Sequence, residues 1–222
     1  VIPSARTGIT LHDDWNNIGQ RQTDSGSVTF ERVRIEMDEI LAEPGPLSSP
    51  FACLRQLIAQ IHFANLFLGI AEGAFYEARN YTLKESRPWP LSPAATSDND
   101  PYILHHYGEL WVGLESVRLL VDRAITQLDE AWKKGLTLTA SERANLALTT
   151  ATAKVAATRQ GLAICNRLFD VTGARSTNAS HRFGRFWRNL RTQTLHDPVD
   201  YRIYELGQWA LKEQLPVPSL FS

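Results

Sequence analysis

The sequence predicts a mainly α protein, an antiparallel four-helix bundle preceded by a few short β-strands. Three observations carry this reading. From about Ser49 onward, apolar residues recur at spacings of three and four along three long stretches. Each stretch has residue-level start or stop signals, and most connecting loops are short. The first forty residues instead alternate apolar with polar, which is the period of a strand.

Residues 1–45 have strand and turn character. Val28 and Phe30, then Val33 and Ile35, alternate with polar residues, and the offset between the pairs suggests a bulge. Asp24-Ser25-Gly26-Ser27 is a turn signal. Two or three short strands cannot bury a face alone and need a partner sheet that the rest of the sequence does not supply. The chain also opens without a methionine, so it is expected to be either a processed mature protein or, the favoured reading, the C-terminal part of something larger. Pro44, Gly45 and Pro46 form a boundary between this segment, 1–45, and the helical domain, 46–222.

The first helix is expected from about Ser49 to Glu85. Its apolar stripe is Leu54, Leu57, Ile58, Ile61, Asn65, Leu68 and Ala71, and Gly69 and Gly73 would permit close helix approach. Arg87-Pro88-Trp89-Pro90 stops it. Asp100-Pro101 is an N-cap followed by proline at the first helical position. The stripe that follows runs from Ile103 through Leu110, Leu114 and Val121 to Trp132, and Gly135 ends it. Thr139-Ala-Ser-Glu142 is a capping box opening a third helix, rich in alanine, to about Val171. A short helix over an arginine stripe follows the loop 172–180. Asp197-Pro198 repeats the cap-plus-proline signal for a last helix to about Glu213, before an extended tail. There is no internal repeat and no low-complexity segment.

Composition excludes several classes. A formal charge of −1 provides no global field for nucleic acid or an anionic membrane. The most apolar stretch, Leu57 to Leu68, is too short to span a bilayer, and no signal peptide is visible, so a cytoplasmic protein is expected. Cys53 and Cys165 read as buried free thiols of a reducing compartment, with a single disulfide as the alternative. His105 and His106 are adjacent and point apart on a helix, so they cannot share a metal, and no metal site is expected. No CxxC, HExxH, GxSxG, P-loop or GxGxxG pattern occurs.

The unusual chemistry is concentrated in His181–Asp200. Arg182, Arg185, Arg188 and Arg191 recur every third residue, interleaved with Phe183, Phe186 and Trp187. Such guanidinium groups either hold phosphate or carboxylate or pair with acids of neighbouring helices or a second subunit. His196 stands at the start of a helix. A neutral imidazole there can act as a base or donate to a developing negative charge, and it is equally a structural cap-region histidine. Gly173-Ala-Arg-Ser-Thr177 is a small-residue loop of a kind that either offers backbone N–H groups to phosphate or merely connects helices.

Taken together, several segments resemble the acyl-CoA dehydrogenase superfamily, and within it the flavin-dependent monooxygenase branch of dibenzothiophene and sulfur-acquisition enzymes. They are Asp14-Trp15, the run from Ile18 to Gly26, Phe63 to Ala71, Ser86 to Trp89, Phe186 to Asn189, Leu195 to Pro198, and Pro216-Val-Pro218. The resemblance covers the whole chain, aligned to the C-terminal half of those proteins. It implies that 1–45 is the remnant of a middle β-domain and 46–222 the C-terminal bundle. It also implies a homotetramer with flavin between subunits. By matching position, Trp15 lies near the flavin, Arg87 reaches its phosphate from a neighbouring subunit, and Gly173, Arg175 and Ser176 form the phosphate loop. His196 would assist formation or protonation of the flavin hydroperoxide. Reduced FMN from a separate reductase, rather than FAD, is the implied cofactor, with O₂ and a small organosulfur or aromatic heterocyclic molecule as co-substrates.

Two departures bear on mechanism. Dehydrogenases of the superfamily carry a catalytic glutamate near this point, whereas here Pro198 is expected to hold Asp197 as a helix cap. Gln193 stands where some relatives have a second histidine. The competing readings are an acyl-CoA dehydrogenase-like FAD oxidoreductase and a non-catalytic helical oligomerisation module.

Overall fold

The structure, a computed structural model, describes residues 2–40 and 45–220. Pro44 of the expected boundary and the last two residues of the tail lie outside the described residues. In chain order the elements are β1 (Ile9–Leu11), β2 (Val28–Phe30), α1 (Leu54–Lys84), α2 (Pro101–Lys134), α3 (Ala140–Thr172), α4 (Gly184–Gln193) and α5 (Val199–Lys212).

β1 and β2 pair antiparallel, Ile9 opposite Phe30 and Leu11 opposite Val28. Leu11, Val28 and Phe30 are all exposed, as expected for a two-stranded ribbon with no covering sheet. The strand expected over Val33–Ile35 does not form. Arg32 has a left-handed φ of 49°, which turns the chain out of line.

The helices follow their local signals. Asp100 caps α2 by accepting from the N–H groups of Tyr102 and Ile103, and Gly135, at φ 53°, closes it. Thr139 and Glu142 form the reciprocal capping box of α3. α1 starts at Leu54, later than expected. Its buried face is Leu54, Leu57, Ile61, Ala64, Phe67, Leu68 and Ala71, so Ile58 and Asn65 of the expected stripe face outward. Gly69 has open space where a side chain would go, so it does not mark a close approach, whereas Gly73 lies under the Phe186 ring. In length and composition α1 could cross a membrane, contrary to the expectation from its shorter apolar core. Here it is a core helix of the bundle, with Leu54, Phe67 and Ala74 fully shielded.

Side-chain contacts fix the directions. Thr82 meets Tyr107, and Glu72 pairs with Arg118, so α1 and α2 are antiparallel. Gln60 meets Lys154, and Thr82 donates to the Val171 carbonyl, so α1 and α3 run the same way. α4 returns along both, with Phe186 on Gly73 and Leu190 on Gly161. The result is an up-down-up-down bundle with a broken last helix, and α3 packs against all the other helices. Ala144, Ala147, Ala151, Ala153 and Ala157 are buried on α3, allowing its neighbours to approach closely. Both cysteines are free and buried.

Candidate active site

The site is built where the fourth helix breaks. The long segment between β1 and β2 folds back onto α4 and is held by two features. Gly19 lies so close to the α4 backbone that a Cβ would fall 2.0 Å from the Arg188 carbonyl oxygen and 2.7 Å from the Asn189 nitrogen. Next to it, the Gln20 N–H donates to the Asn189 side-chain oxygen at 2.9 Å. The turn before it is tied by Asp14, which accepts from the backbone and hydroxyl of Ser27. Those bonds hold its carboxyl below the usual carboxylate range. Trp15 is fixed in turn by donating from Nε1 to the Gln20 carbonyl at 2.8 Å.

This arrangement brings Trp15 and His196 into one cleft of about 610 Å³, with Asn16, Ile18, Gln20, Gln193 and Leu195 also on its walls. Ile18 and Leu195 expose apolar side chains to it. The His196 ring lies against Phe63 of α1, with centroids 4.7 Å apart and a 45° tilt. None of the residues lining the cleft is an acid.

Asp197 departs from expectation. It does not cap α5, whose N-cap is Pro198 with no side-chain bond. Its carboxylate instead accepts from Lys154 Nζ through both oxygens and from Gln60 Nε2 at 3.3 Å. Lys154 also donates to Gln60 Oε1, and its ammonium lies 5.7 Å from the Phe63 ring centroid. The Lys154 side chain is only 3% exposed. Proline fixes its own φ but does not dictate where the preceding side chain points, and a buried cation is a stronger acceptor-seeker than two backbone N–H groups. Burial opposes ionisation of Asp197, but the Lys154 charge and the hydrogen bonds outweigh it, and the carboxyl sits below its ordinary value. Burial pushes the Lys154 ammonium down, partly offset by Asp197. His196 Nδ1 is 3.6 Å from Asp197 Oδ1, an electrostatic contact outside hydrogen-bond range.

The remaining expected site residues lie at the other end of the bundle. Arg175 donates to the Glu85 carbonyl at 3.3 Å, just after α1, and Ser86 donates to the Thr172 carbonyl. Arg87, exposed, follows directly. Gly173 takes φ 76° to turn the chain out of α3. The Ser176 hydroxyl is turned inward, bonded to Thr172 and the Gly173 carbonyl, so its side chain does not face a ligand. Phe63 and Glu85 are separated by about 30 Å of helix axis. One chain therefore places these expected site residues in two separate regions, a Trp15–His196 cleft and an end that carries Arg87 and Arg175, and does not bring them together.

Of the arginine stripe, Arg182 precedes α4 in a left-handed conformation rather than lying on it. Arg185 pairs with Glu77 and lies over the Phe186 ring, 4.2 Å from its centroid. Arg191 lines the cleft beside Gln193. His105 faces Glu109, and His106 meets Arg167, so they diverge as expected, and no metal-holding group occurs among the described residues.

Residues 61–201 match the family described as acyl-CoA dehydrogenase, C-terminal domain, and the chain belongs to that family. It is 74% identical over its whole length to a probable FMNH2-dependent monooxygenase, SfnC, of Pseudomonas putida, covering 56% of that protein. Its fold superposes with a TM-score of 0.96 on the methanesulfinate monooxygenase MsuC of Pseudomonas fluorescens, at 68% identity, covering all of this chain and 57% of that one. FMN-bound TdsC of Paenibacillus sp. A11-2 matches at a TM-score of 0.93 and 40% identity, again over the whole chain and 56% of the other. The chain thus spans little more than half the length of the relatives it matches.

Proposed function

We propose that this chain is the C-terminal part of a two-component monooxygenase that uses reduced FMN from a separate reductase to oxygenate a small organosulfur compound. On this reading residues 1–45 belong to a β-domain continued outside the chain. The observation that carries the proposal is the 195–198 corner. It sets the His196 imidazole against Phe63, on the same cleft as Trp15, in a chain 74% identical to a protein named as a probable FMNH2-dependent monooxygenase and 68% identical to one named as a methanesulfinate monooxygenase.

The residues present fit a flavin mononucleotide. The cleft at Trp15 offers aromatic and aliphatic walls for a ring system, and Arg87 and Arg175 are guanidinium groups suited to a phosphate. FMN, when bound in reduced form, would supply the electrons that activate O₂. The two half-sites are too far apart for one chain to contact both ends of FMN, which supports a site completed by a second copy within a homotetramer. Exposed Trp111, Val112 and Leu119 on α2 give that copy an apolar face to cover.

The chain's own groups divide the work. His196 would hold or deliver a proton from its imidazole, which lines the cleft beside Trp15. Phe63, Trp15, Ile18 and Leu195 exclude water there. The absence of an acid from the cleft lining, with Asp197 committed to Lys154, argues against α-proton abstraction from an acyl-CoA. The test is His196→Ala in the whole protein that contains this chain. Oxygenation should fall at least tenfold while FMN affinity holds; unchanged oxygenation with normal FMN binding would sink the assigned role.

A further inference from the structure

Lys154 is the charged group that sequence reading passed over. It lies on the buried face of α3, in register with the small residues Ala147, Ala151, Ala157 and Gly161. A bundle gains little from an ion pair in such a place. Desolvating both charges costs several kcal/mol, and an apolar pair of the same volume is often as stable or more so. What the pair does provide is position. The 195–198 corner has no helix cap, and Leu195 and His196 are exposed. The bonds from Asp197 to Lys154 and Gln60 are the side-chain hydrogen bonds that tie this corner to α1 and α3 among the described residues.

We propose that Lys154 is a positioning residue for His196. By engaging both oxygens of Asp197, with Gln60 completing the clamp, it keeps the carboxylate 3.6 Å from the imidazole instead of bonded to it. The ring then rests on Phe63 and faces the cleft with its neighbouring negative charge already balanced. Without the clamp, Asp197 would be free to close on His196 and favour its protonated form. The role rests on the reading of this corner as the reacting one, but its physical content is separable from turnover.

The charged and titratable groups around the ring are few. Asp197 is on the corner itself, and Lys154 is on α3. Arg202 on α5 pairs with Glu205 at 2.8 Å. Arg191 on α4 lines the same cleft, and His62 on α1 lies beside Phe63, 6.4 Å away. Of these, Asp197 is the charged group in contact with the imidazole, and Lys154 is its nearly fully buried partner.

The experiment is a histidine proton titration of the whole protein that contains this chain, carbon-13 labelled at histidine, with the His196 signal assigned from His196→Gln. Lys154→Met should move the His196 midpoint up by about one pH unit as Asp197 turns to it. Asp197→Asn should move it down, because an unopposed Lys154 cation remains nearby. The double variant Lys154→Met/Asp197→Asn, neutral and of similar volume, should return it to within a few tenths of the parent. Unmoved midpoints in both single variants would overturn the proposal, leaving a purely structural pair. If Lys154→Met does not fold, Asp197→Asn and the double variant decide the matter by the same criterion. Turnover separates the two levels. Moved midpoints with oxygenation intact in His196→Ala support the clamp and reject the active-site reading; unmoved midpoints with oxygenation lost in His196→Ala do the reverse.

Discussion

Gly19→Ala tests how the Trp15 half of the cleft is held. The added methyl carbon would lie 2.0 Å from the Arg188 carbonyl oxygen, 2.3 Å from its carbon and 2.7 Å from the Asn189 nitrogen. Non-bonded carbon contacts are comfortable near about 3.5 Å, so one partner has to withdraw by more than about 1 Å. α4 cannot, because Leu190 is fully buried against Gly161 and Phe183 is packed in the core. The segment around Gly19 can, because most of its neighbours are exposed. It should lift off and lose the Gln20–Asn189 hydrogen bond, carrying Trp15 with it. The loss in stability should be about 1 kcal/mol, the net value of such a bond, rather than the 1–3 of a clash inside a rigid core. That corresponds to a fall in Tm of about 2–4 °C at this chain length. Asn189→Ala, which removes the bond without the clash, should match it in stability but leave Trp15 closer to its place. The assay is thermal unfolding together with iodide quenching of tryptophan fluorescence, using Trp15→Phe to isolate that residue among six. A loss above about 4 kcal/mol with reduced helicity would mean that the helix yields, and unchanged quenching would mean that Gly19 does not hold the cleft.

Four further outcomes follow from the same structure. Lys154→Met should cost about 1–3 kcal/mol in urea unfolding, because Asp197 loses its buried cation and keeps only Gln60 and His196 as partners, and most of that should return in Lys154→Met/Asp197→Leu. The Asp197 carboxyl is held below its unfolded value, so the pair's stabilisation is full above about pH 4 and fades as pH falls through the folded value; acid unfolding of Lys154→Met should show that limb weakened. Glu142, drawn down to about 2 by Lys134 and Thr139, acts with the same sign on the capping box, so Glu142→Gln should make the acid limb shallower, with Glu39, Asp14, Asp100 and Glu109 supplying the rest. Burial pushes the Cys165 thiol up to about 12, so it should resist a thiol reagent in the native protein and react only as fast as the bundle unfolds.

How far the sequence could be read differs between fold and site for a physical reason. The caps at Asp100, Thr139 and Gly135 involve residues two to four apart, so their chemistry is visible in a short window. The exposed strand pair followed from alternation without a partner. The site depends on contacts of long range. Trp15 reaches the His196 cleft through Gly19 and Asn189, which lie on segments that nothing in local pattern connects. Asp197-Pro198 looked like a cap because that is the local option, and a buried lysine elsewhere in the chain won the carboxylate. One signal for it was present: Lys154 falls on the same stripe as Ala147, Ala151 and Gly161, where a charge demands a partner. The inward Ser176 hydroxyl had no such signal, because its partners depend on how the loop closes after α3.

The separation of the two half-sites gives the proposed assembly a sharp test. If the Arg87–Arg175 end of one chain completes the Trp15–His196 cleft of another, defects in the two ends should complement. His196→Ala and Arg175→Ala proteins would each be inactive alone. Unfolded together in equal amounts and refolded, they would form mixed assemblies in which a site draws its histidine from one subunit and its arginine from the next. Half the subunits supply each intact residue, so about one site in four carries both and should regain activity. Had one chain supplied both ends, every site would keep one defect and mixing would recover nothing. About 30 Å of α1 between Phe63 and Glu85 makes that second outcome incompatible with this fold unless the bundle rearranges. Failure to complement, in mixtures shown by mass to contain hybrid assemblies, would therefore refute the shared site while leaving the bundle itself unchallenged.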